Sequence, residues 1–435
     1  MNTLSEQRLR WVSPLDPEVT EIARYSEQFL PYLARRAGVV AVEDGAGNAN
    51  PVWWQAHQLS AEPLPGTEPL PIYHIGNNSV HGSIFERSRE EPGLVVLHDL
   101  SLVDLAKHIS YERDDPQWWK RQMLRQYGEE ITGLVGRSEN SQSDYFTMIT
   151  KYPLFLPFVE DALGVIVHSR HAREAVVSHL PMGFPVRQLQ LPARAPGKVP
   201  KRDYRARPLE FVFCGHVGPN RRLLEFFEAW GRLSSPDALS LRMFGNLRNQ
   251  RQLMDYAERY GVDKYVEILG YVSDEELDKA LLSAHFAINL RWPTMGEASA
   301  SQLRYWAAGL PVLVTDVGWY GELPQGTVCK ISVSREIDDI VELLQDAISR
   351  PDKFDQVGEK GWRYLQEHHA QEDYSEKLLA FAEQLSAQRF AHRALDMEFV
   401  GIIAAMCEDG VDTALFIDAV ETAVATFDPA GMEIK

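Results

Sequence analysis

The run Phe211-Val212-Phe213-Cys214-Gly215-His216-Val217-Gly218-Pro219-Asn220-Arg221-Arg222 decides how the rest of the chain is read. Its apolar start reads as a strand, Gly215 and Gly218 mark a turn, and a helical pattern continues through Trp230. Strand, turn and helix start in that order form an anion site, because the unpaired N–H groups of a first helical turn and the helix dipole face the same place. A phosphate there suits Arg221 and Arg222. The bland alternative is a turn carrying two solvated arginines, and spacing alone does not choose between them. The run is neither a Walker A loop, which ends in Gly-Lys-Ser/Thr, nor a dinucleotide fingerprint with three spaced glycines.

Outward from this run, short β-branched stretches alternate with helical patterns over the whole chain. Strands are expected at Arg10–Val12, Pro71–His74, Gly93–Leu97, Gly164–His168, Glu210–Cys214, Ser240–Phe244, Tyr265–Leu269, Phe286–Asn289 and Pro311–Thr315. Such alternation builds parallel sheets from βαβ units, which bind ligands at the carboxyl ends of their strands. Between Leu191 and Pro208, four prolines, Gly197 and the basic residues Lys198, Lys201, Arg202, Arg205 and Arg207 break the pattern and read as a linker. The expected architecture is α/β, with two Rossmann-like domains facing across a cleft. They cover residues 1–197 and 205–372, and residues 373–435 supply a crossover helix and a helical tail. Residues 107–152 interrupt the first domain as a helix, a polar loop at Gly136–Asp144, and a helix, with Trp118-Trp119 packed on the domain. The tail reads as amphipathic helices at Met397–Glu408 and Asp412–Phe427, a hairpin open to dimer or partner contact.

Two more strand ends carry chemistry. In Asn289-Leu290-Arg291-Trp292-Pro293-Thr294-Met295-Gly296-Glu297-Ala298-Ser299-Ala300-Ser301, the small residues ahead of a helix let backbone amides approach phosphates closely. Ser299 and Ser301 add hydroxyls, and Glu297 suits sugar hydroxyls; N-capping alone also explains one serine. Leu97-His98-Asp99-Leu100 sets an imidazole and a carboxylate at a strand end, and Tyr73-His74-Ile75-Gly76-Asn77-Asn78-Ser79 ends another in a polar turn. Nucleophile elbows, paired-Cys zinc patterns, EF-hand loops and a D-x-D clamp at a strand end are missing from the sequence.

Composition bounds the function. At 435 residues, 45% hydrophobic and 24% charged, the chain can bury two or three cores, so disordered and fibrous classes drop out. The net charge of −18 disfavours nucleic acid as a partner. It is uneven: residues 1–200 hold 19 basic and 24 acidic side chains, the remainder 25 and 38. Cys214, Cys329 and Cys407 are far apart and odd in number, which fits free thiols in a reducing compartment. No secretory leader or membrane span is read, so a cytoplasmic protein is expected, with peripheral contact at the inner face of a membrane left open.

With these segments in order, the chain resembles glycosyltransferase family four, the retaining GT-B enzymes among the glycosyl transferases of group one. The resemblance runs from about Arg10 to Leu385 and is densest over Gly270–Pro324, where Gly270-Tyr271-Val272-Ser273-Asp274-Glu275-Glu276-Leu277, the Asn289–Ser301 run and Val314–Pro324 follow one another like the family's motifs. It implies transfer of a sugar, hexosyltransferase-like and metal-independent, from a nucleoside diphosphate sugar to a glycan, lipid-linked or small-molecule acceptor, as in polysaccharide biosynthesis. Catalytic roles fall to His98, Glu297 and Arg221. Donor-binding roles fall to Gly215, His216, Arg222, Tyr271, Val272, Arg291, Ser299, Ala300, Ser301, Arg304 and Glu322, and acceptor-side roles to Asp16, Glu21, Asn77 and Asp99. The leaving diphosphate would take the acceptor's proton, neither metal nor cofactor is expected, and Trp362–Leu385 would cross back to the first domain. Departures from the pattern are Glu21 in place of a glycine, His216 and Arg221 in place of arginine and lysine, and Arg304 in place of a ribose-binding glutamate, for which Glu322 is a substitute. They motivate a second class, a non-catalytic GT-B subunit that binds a nucleotide sugar or a partner enzyme. A third, a sugar-nucleotide epimerase, lacks identifiable acid/base carboxylates.

Overall fold

The computed structural model describes residues 5–15, 20–44, 69–194, 196–198, 201–205, 207–245 and 250–408. Two six-stranded sheets form two lobes. The first is built from β1 (Ser5–Val12), β2 (Ala37–Glu43), β3 (Leu70–Ile75), β4 (Leu94–Leu97), β5 (Gly164–Val167) and β6 (Val186–Gln188), in the order β2-β1-β3-β4-β5-β6. The second holds β7 (Leu209–Cys214), β8 (Leu239–Phe244), β9 (Val266–Gly270), β10 (Phe286–Asn289), β11 (Val312–Thr315) and β12 (Cys329–Ile331), in the order β12-β11-β10-β7-β8-β9. Every pairing is parallel. The α/β architecture expected from the alternation is the one found. Strands β2, β6 and β12, not among those expected from the sequence, are all sheet edges, where β6 and β12 are short and mixed in polarity.

Central strands are apolar on both faces because helices cover both. In β4, Leu94 and Val96 join the cluster that contains Phe381 and Leu385, whereas Val95 and Leu97 join the one that contains Trp119, Met123 and Phe155. The two-residue period of the strand thus assigns the C-terminal helix to one face of the first sheet and the insertion to the other. Gly164 is required by the former, since a Cβ there would lie 2.9 Å from Leu385 and Phe381.

The insertion is not helix, loop, helix but a run of helices, Val103–Glu112, Trp118–Tyr127, Thr132–Ser138 and Gln142–Lys151. Its expected polar loop shrinks to three residues, because Ser141 caps the last helix by accepting from the Asp144 amide at 3.2 Å. Trp119 is buried, and Trp118 packs on Phe85 and Phe158 under the Arg113 guanidinium. The crossover also starts later than expected. Trp362 belongs to helix Asp355–His368, which seats Gly361 on Trp306 of the second lobe. Helix Gln371–Glu408 makes the return, with the Tyr25 hydroxyl donating to that of Tyr374 at 3.0 Å. The expected helix at Asp412–Phe427 lies outside the described residues.

Candidate functional site

The site assembles at the carboxyl ends of both sheets. After β7 the chain turns through Gly215 at φ +138°, and a Cβ there would stand 3.6 Å from Arg221 Nη2 and 4.0 Å from Ser301 Oγ. Turn, guanidinium and hydroxyl therefore converge. Arg221 sits in a short 3₁₀ turn, Pro219–Arg221, and its Nη1 is buried without a hydrogen-bond partner. Burial, and next to it the charge of Arg291, pulls its pKa down to about 10, which still leaves it protonated at neutral pH. A buried cation with an unused donor is costly unless something anionic meets it.

The turn is buttressed by Gly245, at φ +118°, whose missing Cβ would collide with the Gly215 carbonyl. Gly245→Ala is expected to destabilise the fold by about 1–3 kcal/mol through left-handed strain and overpacking. Because the strain falls on the Gly215 turn, affinity for a phosphate-type anion such as inorganic diphosphate should drop beyond any loss of folded protein, which calorimetry at a temperature well below the melting point measures.

The loop after β10 is tied internally. Thr294 Oγ1 and the Met295 amide both donate to Glu297 Oε2 at 2.7 Å, and Arg291 Nη1 lies 2.5 Å from Glu297 Oε1. Burial opposes the Arg291 charge, yet Glu297, Tyr320 and Asp99 together more than offset it, so its pKa is raised. Ser299 caps helix Ala300–Ala307 by accepting from the Gln302 amide at 3.2 Å, and it also accepts from Asn289 Nδ2 at 3.2 Å. It is buried, so its lone pairs are engaged in holding the loop. The first amides of that helix, at Ala300 and Ser301, have no carbonyl one turn back to bond.

The first lobe meets this loop directly. The amides of Leu100 and Ser101 both donate to the Met295 carbonyl at 2.8 Å, and Gly296 leaves no room for a Cβ against Leu100, 2.5 Å away. That contact brings Asp99 opposite the Arg291–Glu297 pair. Asp99 Oδ2 accepts from the Asn77 amide at 2.7 Å. Burial first and the Glu297 charge second push its pKa up to about 7, against the Asn77 hydrogen bond and Arg291. His98 is linked to His74, Nε2 to Nδ1, at 2.9 Å, within a cluster that includes His81 and His168. Burial, followed by the mutual repulsion of the cluster, holds His74 and His98 well below the ordinary imidazole range, and burial holds His81 and His168 at about 4. The four rings are neutral at pH 7. Nδ1 of His168 donates to the Leu189 carbonyl and Nδ1 of His81 to the His74 carbonyl, which leaves their Nε2 atoms as acceptors.

Four expected site residues are placed differently. Arg222, in the left-handed region at φ +56°, turns away from the Gly215 turn into a bidentate pair with Glu336 and a contact with Glu225. Arg304 reaches back to Asp274 and Asp278 on the preceding helix, Asp274–Ser283, and Asp274 also takes Arg24 of the first lobe at 2.6 Å. The Asn77 side chain is engaged locally: Oδ1 takes the Asp104 and Leu105 amides, and one Nδ2 hydrogen goes to Asp104 Oδ2 at 3.0 Å. It is a cap for helix Val103–Glu112, whose Asp104 also receives the Tyr145 hydroxyl from the insertion at 2.7 Å. Glu322, expected as a ribose carboxylate, is engaged by the protein itself. Its carboxylate crosses to the first lobe and accepts the Arg170 and His171 amides at 2.9 and 2.6 Å, at the start of helix Arg170–Val177. Glu322→Ala should cost about 1 kcal/mol there, read as roughly fivefold faster hydrogen exchange of those two amides.

Tyr271 is exposed and Val272 half-buried in the loop after β9. His216 follows the Gly215 turn as an exposed residue. Glu21 opens helix Glu21–Leu33, and its charge reaches the buried Cys214 thiol, which burial foremost pushes up in pKa. Asp16 lies outside the described residues. Thr294 and Glu336, not singled out from the sequence, owe their roles to partners three and 114 positions away. Among the described residues no three His, Cys, Asp or Glu side chains are grouped to hold a metal ion, and no helix is long and apolar enough to cross a membrane.

Residues 208–350 match the family described as "Glycosyl transferases group 1". No curated protein matches the chain in sequence. Among solved structures, sucrose-phosphate synthase from Thermosynechococcus elongatus aligns with a TM-score of 0.58 and 14% identity, over 89% of this chain and 100% of that one. WaaG, a glycosyltransferase involved in lipopolysaccharide biosynthesis, aligns with 0.53 and 15%, over 85% and 98%. HepE from Anabaena, in complex with UDP and glucose, aligns with 0.52 and 11%, over 88% and 100%. At these identities the structures speak to the fold. The match to the glycosyl transferases of group 1 is confined to the second lobe, and by its two facing parallel-sheet lobes the chain has the GT-B architecture.

Proposed function

We propose that the protein is a retaining, metal-independent glycosyltransferase that moves a sugar from a nucleoside diphosphate to a hydroxyl of a glycan or lipid-linked acceptor. The observation that carries this reading is the buried Nη1 of Arg221, without a partner, beside the Gly215 turn and Ser301. A diphosphate supplies the missing acceptor, and the unpaired amides at Ala300 and Ser301 add donors from the opposite side. As the bond between sugar and diphosphate breaks, charge grows on the leaving oxygen, where these fixed donors stabilise it without having to reorganise. Arg221 takes the part that a metal plays elsewhere. Glu297, anchored by Thr294 and Met295, is positioned for the sugar's hydroxyls, and HepE's complex with UDP and glucose supports a nucleotide sugar as donor. The exposed Tyr271 and the adjoining Val272 are suited to the base.

A non-catalytic subunit is the competing reading, favoured by Arg304 and Glu322, which spend their charges on other protein groups where a ribose carboxylate is expected. A panel of nucleoside diphosphate sugars separates the two. Thermal shift together with release of free diphosphate supports transfer, shift without turnover supports a binding subunit, and neither response over the whole panel rejects both.

A further inference from the structure

We propose that Asp99, reaching over from the first lobe, completes the donor-sugar subsite as a hydrogen-bond donor to a sugar hydroxyl opposite Glu297, and that this subsite accepts an uncharged sugar. The inference rests on the sugar-transfer reading and adds to it a residue of the other lobe and a class of donor.

The two ends of the loop after β10 meet different groups. Arg221 and Ser301 converge on the Gly215 turn, whereas Met295 and Gly296 meet Leu100 and Ser101 of the first lobe. Asp99, which precedes Leu100, therefore adjoins the Met295–Glu297 end of the loop and Arg221 its Ser301 end. A sugar attached to a diphosphate at Arg221 extends toward the Met295–Glu297 end. Its hydroxyls then lie between Glu297 from the second lobe and Asp99 from the first, which the bonds from the Leu100 and Ser101 amides to the Met295 carbonyl hold in apposition.

The Asp99 carboxyl is fixed and half used. Oδ2 takes the Asn77 amide, while Oδ1 has no hydrogen-bond partner among the described residues. The groups facing it are Glu297 and Arg291 across the cleft, Asp104 on helix Val103–Glu112, and His81, whose Nε2 shares with Asp99 Oδ2 the corner beside Gly76. Arg291 is occupied by Glu297, and the imidazole is neutral, so the surroundings of Asp99 are net anionic. A pKa of about 7 leaves a proton on the carboxyl below neutrality. A neutral carboxyl donates and an ionised one only accepts, so Asp99 and Glu297 offer a donor and an acceptor to one sugar edge. A uronate would bring a third carboxylate beside Asp99 and Glu297, where the facing cation, Arg291, already shares its charge with Glu297.

Calorimetry on the full-length protein tests this with UDP, UDP-glucose and UDP-glucuronate, alongside the guanosine and adenosine series, at pH 6 and pH 8.5. The quantity read is the increment in affinity that the sugar adds to the bare diphosphate. In the wild type the glucose increment should fall on the order of 10-fold between the two pH values as Asp99 ionises. Asp99→Ala should lose it at both, with the loss falling on the sugar increment rather than on the diphosphate. Asp99→Asn, which donates at any pH, should show a reduced increment that no longer depends on pH, an outcome that a merely structural role would not produce. Glucuronate should add nothing. An increment that ignores Asp99→Ala, rises with pH, or is as large for glucuronate as for glucose overturns the inference. If no diphosphate or sugar diphosphate binds the wild type, the transfer reading falls as well.

Discussion

Arg221→Met is expected to remove nucleoside diphosphate binding while raising the melting temperature of the empty protein. The two effects share one cause. The Arg221 guanidinium is enclosed, its Nη1 has no partner, and burial together with Arg291 works against its charge. An apolar side chain of similar length relieves that penalty, and replacing buried charge by well-packed apolar groups is often neutral or stabilising. What is lost is a pair of charge-assisted hydrogen bonds to the diphosphate, each contributing about 1.5–3 kcal/mol. Affinity should therefore fall by roughly two to four orders of magnitude. Arg221→Lys keeps a point charge without the fork and should recover part of the binding. Calorimetry on UDP or the best donor of the panel, with melting curves on the same samples, reads both effects. A destabilised Arg221→Met that still bound diphosphate at wild-type strength would show that the cation is structural.

Glu297→Ala should produce the largest loss of stability among the site variants. It strands Arg291 in a buried position and removes the acceptor shared by Thr294 Oγ1 and the Met295 amide. Breaking a buried pair on one side costs about 3–5 kcal/mol. Because the Met295 carbonyl carries the Leu100 and Ser101 amides, loosening this loop also loosens the closure of the cleft. Glu297→Gln keeps one acceptor oxygen for Thr294 and Met295 and loses only the charge, so it should melt above Glu297→Ala but below the wild type. Both variants should lose kcat/KM for the donor. Melting temperatures and steady-state kinetics for the three proteins separate charge from scaffold: equal melting of Gln and Ala variants would mean that the hydrogen bonds of Glu297 contribute little.

Glu322 and Arg222 show why much of the site was not legible in advance. Arg222 stands at a helix start and Glu322 at the end of the short helix Gly318–Glu322 that follows β11, places where a ligand is the natural partner to imagine. Their actual partners, a helix start 152 residues away and a carboxylate 114 residues away, leave no trace in local pattern. Asn77 differs in that its turn position pointed to hydrogen bonding, and its side-chain oxygen does bond, but to the amides at the start of helix Val103–Glu112. Asp99 looked like half of an ordinary His–Asp dipeptide. Only the approach of the second lobe gives it Glu297 as a neighbour.

The sequence by itself determined the two-lobe α/β architecture and the position of its loops, because strand and helix periods, glycine turns and the proline-rich break at 192–208 act over a few residues and need no knowledge of the remainder. Only the tertiary structure decided which charges are free for a ligand. In a chain of net charge −18, most of the named cations are within reach of some carboxylate, and pairing depends on the geometry of closure rather than on order along the chain. Arg222, Arg291 and Arg304 are paired with Glu336, Glu297 and Asp278, whereas Arg221, beside the Gly215 turn, keeps a buried Nη1 without a partner. A salt bridge is a contact in space, and a few ångströms separate a cation that holds the fold from one that awaits a substrate.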